Sequence, residues 1–152
     1  MEEANIARVH AKNLSISTKH AIEISNFIRG KTLKFSKDKL QSVINGTFAI
    51  PFRRFNRDMG HKPNIAAGRY PQKAAKAILE LLASLESNAL NKGLNVEQLY
   101  IKQIIPNKAS RPWHPSRLLR RRMKRTHIDI VATEREIKKE EKKTEQAKPI
   151  KK

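Results

Sequence analysis

The sequence predicts a single domain in which helices pack against antiparallel β-strands, and three observations predict it. Three segments between residues 17 and 93 carry apolar residues at helical spacing and stop at glycine. Two late runs, "LYIKQII" and "HIDIVAT", alternate β-branched residues at period two. A net charge of +19, from 33 Lys plus Arg against 14 Asp plus Glu, is carried largely between those elements. The 152 residues and 38% hydrophobic content allow one domain with a small core.

Taken in order, "RVHAKNLSIS" alternates loosely through Val9, Ala11, Leu14 and Ile16 and predicts a short strand. "STKHAIEISNFIRG" follows as a helix, with Ser17 or Thr18 as cap, Ala21, Ile24, Phe27 and Ile28 on one face and Gly30 at the stop. A shorter helix runs through "SKDKLQSVING", with Ser36 expected to cap it, Leu40, Val43 and Ile44 inward and Gly46 at its end. The stretch from Thr47 to Pro71 is punctuated by Pro51, Pro63, Gly60 and Gly68 and predicts an irregular connection. The third helix begins at Pro71, which suits a first turn, and Ala75, Ile78, Leu82, Leu85 and Ala89 form its apolar stripe up to Gly93. Its opposite face, including Lys73, Lys76, Glu80 and Ser84, is polar.

The two late strands should pair antiparallel, with Ile128, Ile130 and Ala132 sharing a face. Pro106 to Thr126 joins them, far longer than an ordinary hairpin turn, so the strands are free to continue into it as a ribbon. Beyond them the tail "EREIKKEEKKTEQAKPIKK" mixes five acids with eight bases, is helical or disordered, and is not the source of the charge.

No acid occurs between Glu97 and Asp129, while Lys108, Arg111, Arg117, Arg120, Arg121, Arg122, Lys124 and Arg125, with Lys102, supply nine fixed positive charges. A ribbon of this kind repels itself in isolation, but laid into folded RNA its guanidinium groups fork onto phosphates and stack on bases. Trp113 and His114 add planar groups of the sort that stack on unpaired bases. A second acid-poor cluster, Arg53, Arg54, Arg57, His61, Lys62, Arg69, Lys73 and Lys76, is broken only by Asp58 and interleaved with Phe52, Phe55 and Tyr70. A lone basic run reads equally well as a solvated loop or an import signal; two such segments bearing aromatics favour an extended RNA contact. Phe52 and Phe55 read first as packing residues.

Enzyme classes fit poorly. Cysteine is absent, which removes disulfides and thiolate sites. The five histidines lack metal-ligand spacing, and the phosphate-binding pattern GxxxxGK[ST] does not occur. Catalytic residues, cofactors, metals and a small-molecule substrate are therefore not expected. An acidic N-terminus and the lack of a ~20-residue apolar run predict a soluble intracellular protein with no membrane partner.

"IPFRRFNRDMGHKP", "AGRYPQKAAKAILELLASLESNALNKGL" and "THIDIVATE", in this order and spacing, resemble the universal large-subunit ribosomal protein twenty-two family in its archaeal and eukaryotic form. The likeness covers roughly residues 11–134. It implies an α+β fold, with three helices packed on a small antiparallel β-sheet and a long basic β-hairpin extension at about 106–126. It further implies a single RNA-binding domain over residues 1–134, followed by the charged tail at 135–152. In that family the globular part sits near the mouth of the peptide exit tunnel and the hairpin helps line its wall. Expected partners are then large-subunit ribosomal RNA, neighbouring large-subunit proteins and the nascent chain near the hairpin, in the cytoplasm. Carried over by position, Arg53, Arg54, Arg57, His61, Lys62, Arg69, Tyr70, Lys73 and Lys76 match segments that lie on or near RNA. The hairpin departs from the family's glycine-containing tip: "RPWHPSRLLRRRMKR" has no glycine, and its Leu118 and Leu119 are bulky enough to pack on protein or a lipid-like surface. A free, non-ribosomal nucleic-acid-binding module is the alternative, since it needs only the charge and the aromatics.

Overall fold

The computed structural model describes residues 5–115, 117 and 120–134; the expectations for the tail at 135–152 and for Leu118 and Leu119 lie outside the described residues. The elements follow in the order β1 (Ile6–Leu14), α1 (Thr18–Ile28), α2 (Leu33–Ile44), β2 (Ile50–Pro51), β3 (His61–Lys62), β4 (Ile65–Arg69), α3 (Gln72–Asn91), a 3-10 turn (Val96–Gln98), β5 (Leu99–Lys108) and β6 (Thr126–Glu134). The last strand is central: β1, β6 and β5 form an antiparallel sheet in that spatial order. The period-two pattern of β6 explains its place, since Ile128, Ile130 and Ala132 are all buried while the residues between them are half-exposed.

One face of this sheet is covered by helices. α3 packs on β1, α1 on β5, and α2 on α3. The predicted stripe of α3 is the centre of the core: Ala75, Ile78, Leu82, Leu85 and Ala89 are fully buried beside Ile24, Ile28, Leu40, Leu99, Ile101 and Ile104. At the end of α1, Gly30 adopts φ 73°, a left-handed conformation open to glycine at little cost. That turn lets the Gly30 N–H donate to Ile101 O at 2.8 Å, and the Ile101 N–H donates back to Lys31 O at 2.9 Å.

The fold is the expected α+β arrangement of three helices on an antiparallel sheet, with three local corrections. α2 starts at Leu33, not after Ser36: Thr32 is the cap, its hydroxyl accepting from the Phe35 N–H at 3.4 Å. Ser36 is instead buried inside the helix, its hydroxyl donating to Thr32 O at 2.8 Å, the back-bond that lets a serine sit within a first turn. Ser17 occupies the cap position of α1 without a side-chain capping bond, and the Thr18 hydroxyl is paired with that of Thr126.

The third correction concerns the connection at 47–71, which contains a second small antiparallel sheet in the order β2-β4-β3. Strands of two to five residues are too short to show alternation in sequence. Gly68 makes room there for side chains: a Cβ at that position would lie 2.6 Å from Ile65 Cδ1 and 3.1 Å from Lys62 Cγ, so the Ile65 side chain would have to shift.

The β5–β6 pairing runs to Lys108 opposite Thr126. Cross-strand hydrogen bonds continue past it, from Ala109 N to Arg125 O at 3.2 Å, Met123 N to Pro112 O at 2.9 Å and His114 N to Arg121 O at 2.9 Å. The connection thus keeps ribbon-like pairing well beyond the sheet.

Replacing the fully buried Leu82 with Ala should lower the unfolding free energy by ~2–5 kcal/mol, because the transfer and cavity costs add. Denaturant unfolding of the two chains measures it.

Candidate nucleic-acid interface

The first basic segment is organised by a residue the sequence did not single out. Glu23, on α1, is 2% exposed, and its carboxylate accepts from three successive backbone N–H groups: Arg53 at 3.1 Å, Arg54 at 2.9 Å and Phe55 at 2.7 Å. A buried carboxylate requires this many donors to offset its lost hydration. Because the donors are main-chain groups, the Arg53 and Arg54 side chains remain directed to solvent, where both are exposed. Asn56 follows at φ 52°, a left-handed turn that asparagine tolerates, and Arg57 Nε folds back onto Arg53 O.

The base of the ribbon is fixed to the same helix. Thr126, fully buried, donates to Ile16 O at 3.0 Å and pairs with the Thr18 hydroxyl at 2.9 Å. Arg125 Nη1 donates to Asn13 O at 3.0 Å, and His127 Nδ1 accepts from the Asn13 N–H at 3.1 Å. These bonds hold the bulge of β1, where Asn13 has φ 55°.

Between these anchors lies a cleft of about 560 Å³. Lys19 and His20 form one wall, Phe55 and Asn56 a second, and Lys108, Arg111, Lys124 and Arg125 the third. Two smaller hollows extend it: one shares Ser17, His20 and Lys124 and reaches Lys73 of α3, and the other reaches His114 and Arg122. Lys124 lines all three, and no acidic side chain lines any of them among the described residues. Arg111 is tethered by Nε donating to Met123 O at 3.2 Å. His20 packs edge-on to the buried Phe52 ring at 5.5 Å. Burial, and secondarily the Lys124 ammonium, hold its pKa below the ordinary imidazole value.

Of the residues expected to meet RNA, the structure thus brings Lys73, Lys108, Arg111, His114, Arg122, Lys124 and Arg125 to one trench. Arg53, Arg54, Arg57, His61, Arg69 and Lys76 are exposed but do not line it, and neither do Arg117, Arg120 and Arg121 on the ribbon. Lys62 lies over the Tyr70 ring at 5.3 Å, leaving Tyr70 37% exposed. Trp113 is 52% exposed. Its company is Arg122, whose guanidinium lies 4.0 Å from the ring centre, a stacked pair across the ribbon. Phe52 is core, as expected, whereas Phe55 is half-buried, with Lys19 Nζ 5.7 Å and the Arg54 guanidinium 5.3 Å from its ring centre.

Sequence reasoning missed Lys19, His20 and Asn56 as lining residues and Glu23 as the organiser. One signal for Lys19 was present: a cation in a first helical turn stands against the helix dipole, and α1 has no acid there to offset it. Among the described residues no group of three His, Asp or Glu side chains converges as a metal site, and no helix is long and apolar enough to cross a membrane.

Residues 9–133 match the family model described as ribosomal protein L22p/L17e. The chain is 40% identical over 138 residues to the large ribosomal subunit protein uL22 of Nanoarchaeum equitans, spanning 86% of this chain and 79% of the relative. It is 42% identical over 142 residues to that of Methanoculleus marisnigri, spanning 88% and 93%. With that of Methanopyrus kandleri it shares 38% over 144 residues, spanning 89% and 91%.

Two outcomes are expected at this site. Glu23→Gln should lower the unfolding free energy by ~1–3 kcal/mol, the cost of buried donors left poorly paired. Amide hydrogen exchange should accelerate at Arg53, Arg54 and Phe55 while the α3 amides keep their protection relative to global unfolding. Lys124→Gln should raise the pKa of His20 part of the way back to the ordinary imidazole value, because a neighbouring like charge is removed while burial remains. An NMR titration of the His20 ring reads that shift.

Proposed function

This chain belongs to the ribosomal protein L22p/L17e family, in its archaeal-type branch, and we propose that it is a structural, non-catalytic constituent of the large ribosomal subunit in the cytoplasm. It binds large-subunit RNA at several segments and meets neighbouring subunit proteins. The observation that carries this reading is the convergence of the loop, α1, α3 and the ribbon on one acid-free trench. An anchored, multi-sided cationic surface suits folded RNA, whose phosphates approach from several directions.

Residues 1–134 act as one RNA-binding domain. Arg53, Arg54, Arg57, His61, Lys62, Arg69, Tyr70, Lys73 and Lys76 form one contact region, and the ribbon residues from Lys108 to Arg125 form the other. By holding segments distant in the RNA sequence, the protein aids subunit assembly. Its ribbon lines the peptide exit tunnel, where the exposed Trp113 and the arginines beyond it meet RNA and pass near the nascent chain. The absence of acid between Glu97 and Asp129 supports that placement, since a carboxylate in a channel walled by phosphate is repelled.

Ultraviolet cross-linking in the organism's own cells, followed by sequencing of the attached RNA, tests the assignment. Large-subunit ribosomal RNA from a few distant segments is expected; diffuse messenger RNA would support a free binding module instead. With purified RNA, log K should fall against log salt with a slope of roughly −3, if about half of the nine cations of the acid-free segment each neutralise a phosphate at ~0.7 per contact. Arg121→Ala combined with Arg122→Ala should flatten the slope by up to about 1.4 and weaken binding, while the unfolding transition stays in place because neither side chain is in the core.

A further inference from the structure

We propose that the cleft at the start of α1 is a pocket for one unpaired nucleotide, with its base laid against Phe55 and its phosphates on Lys108, Arg111 and Lys124. The proposal rests on the RNA-binding reading above and makes it specific. The trench as a whole fits any phosphate backbone, but this part of it is concave and walled by three elements: α1 through Lys19, the 53–60 loop through Phe55 and Asn56, and the ribbon base through the three cations. Its volume of about 560 Å³ lies within the ~300–1,000 Å³ of small-ligand clefts. An RNA duplex presents a convex backbone that cannot enter such a space, whereas a base splayed out of its stack can, and RNA-binding proteins receive such bases on aromatic and guanidinium planes.

The walls supply each chemical part of a nucleotide. Phe55 is half-buried rather than core, and the cations over its ring, Lys19 and Arg54, belong to long side chains, one of which a stacking base would displace from the ring face. The Asn56 amide offers both a donor and an acceptor for a base edge. Glu23 fixes the backbone of Arg53, Arg54 and Phe55, and Met123 O fixes Arg111, so two opposite walls are set before any ligand arrives. Such preorganisation reduces the ordering cost of binding.

Two RNA stems of equal length and charge, one fully paired and one with a single bulged nucleotide, test this with the full chain. Binding isotherms over a salt series are expected to give about 5- to 150-fold tighter binding to the bulged stem, the range for one stacked base. Phe55→Leu should erase most of that preference and leave affinity for the paired stem within about twofold. Asn56→Gly, which φ 52° accommodates without strain, should reduce the preference severalfold, and it decides the matter if Phe55→Leu fails to fold. Equal binding of the two stems, or a preference that survives Asn56→Gly and a folded Phe55→Leu unchanged, overturns the pocket while leaving the RNA-binding reading intact. Salt-independent or undetectable binding of both stems overturns that underlying reading, and the pocket with it.

Discussion

Glu23 is the one charged side chain buried among the described residues, and the placement of the basic loop depends on it. An isolated carboxylate in an apolar setting costs several kcal/mol in lost hydration. Here three main-chain N–H groups stand in for water. Pairing the carboxylate with an arginine side chain would have satisfied it equally well, but would have removed a cation from the surface. Gripping the loop by its backbone fixes the path of residues 53–55 and leaves the Arg53 and Arg54 side chains exposed.

The second constraint is the joint at Thr126, where the ribbon meets α1 through Thr18 and Ile16. It places the cations of the ribbon base opposite those of α1, an arrangement that repels itself and therefore has to be held by the core. The sheet provides that support, and its edges are covered as edge strands require. Asn88 Nδ2 and Lys92 Nζ donate to Arg8 O and Ile6 O along β1. Along β5, Gly30 and Lys31 bond to Ile101, and Arg29 Nη2 donates to Ile104 O at 3.1 Å. Four of these residues, Arg29, Gly30, Lys31 and Lys92, sit at helix ends, so the same residues that terminate α1 and α3 also close the sheet.

The helices and the late strand pair were legible in the sequence because their signals are periodic and long. The α3 stripe is the clearest case, five apolar positions that all prove buried. The start of α2 was misplaced because Thr32 and Ser36 are both competent caps, and only the burial of Leu33 and Ser36 decides between them. The small β2-β4-β3 sheet was hidden by its shortness and by Gly68, a residue that reads as a loop signal but serves as space for Ile65. At the interface, the cations were legible as a composition and their convergence was not. Lys73 and Arg122 are far apart in sequence, and nothing local brings them to the one hollow that both line. The role of Glu23 was illegible for the same reason: its partners lie some thirty residues away.

Apart from Glu23, burial and charge are carried by different residues among those described. The core draws on one face of the β1-β6-β5 sheet and the inner sides of three helices, whereas the cations occupy the loop, the ribbon and the exposed side of α3. The ribbon beyond Lys108 has little core of its own; backbone pairing and the Trp113–Arg122 stack order it. Repulsion within it is therefore borne locally, and its relief by an anion acts on the ribbon rather than on the core. The two sets of residues also meet in the first turn of α1. There Thr18 holds the ribbon base while Lys19 and His20, next in sequence, face the cleft. A shift of α1 along its axis would move both together, so the helix that fastens the ribbon also keeps the cleft in register with it.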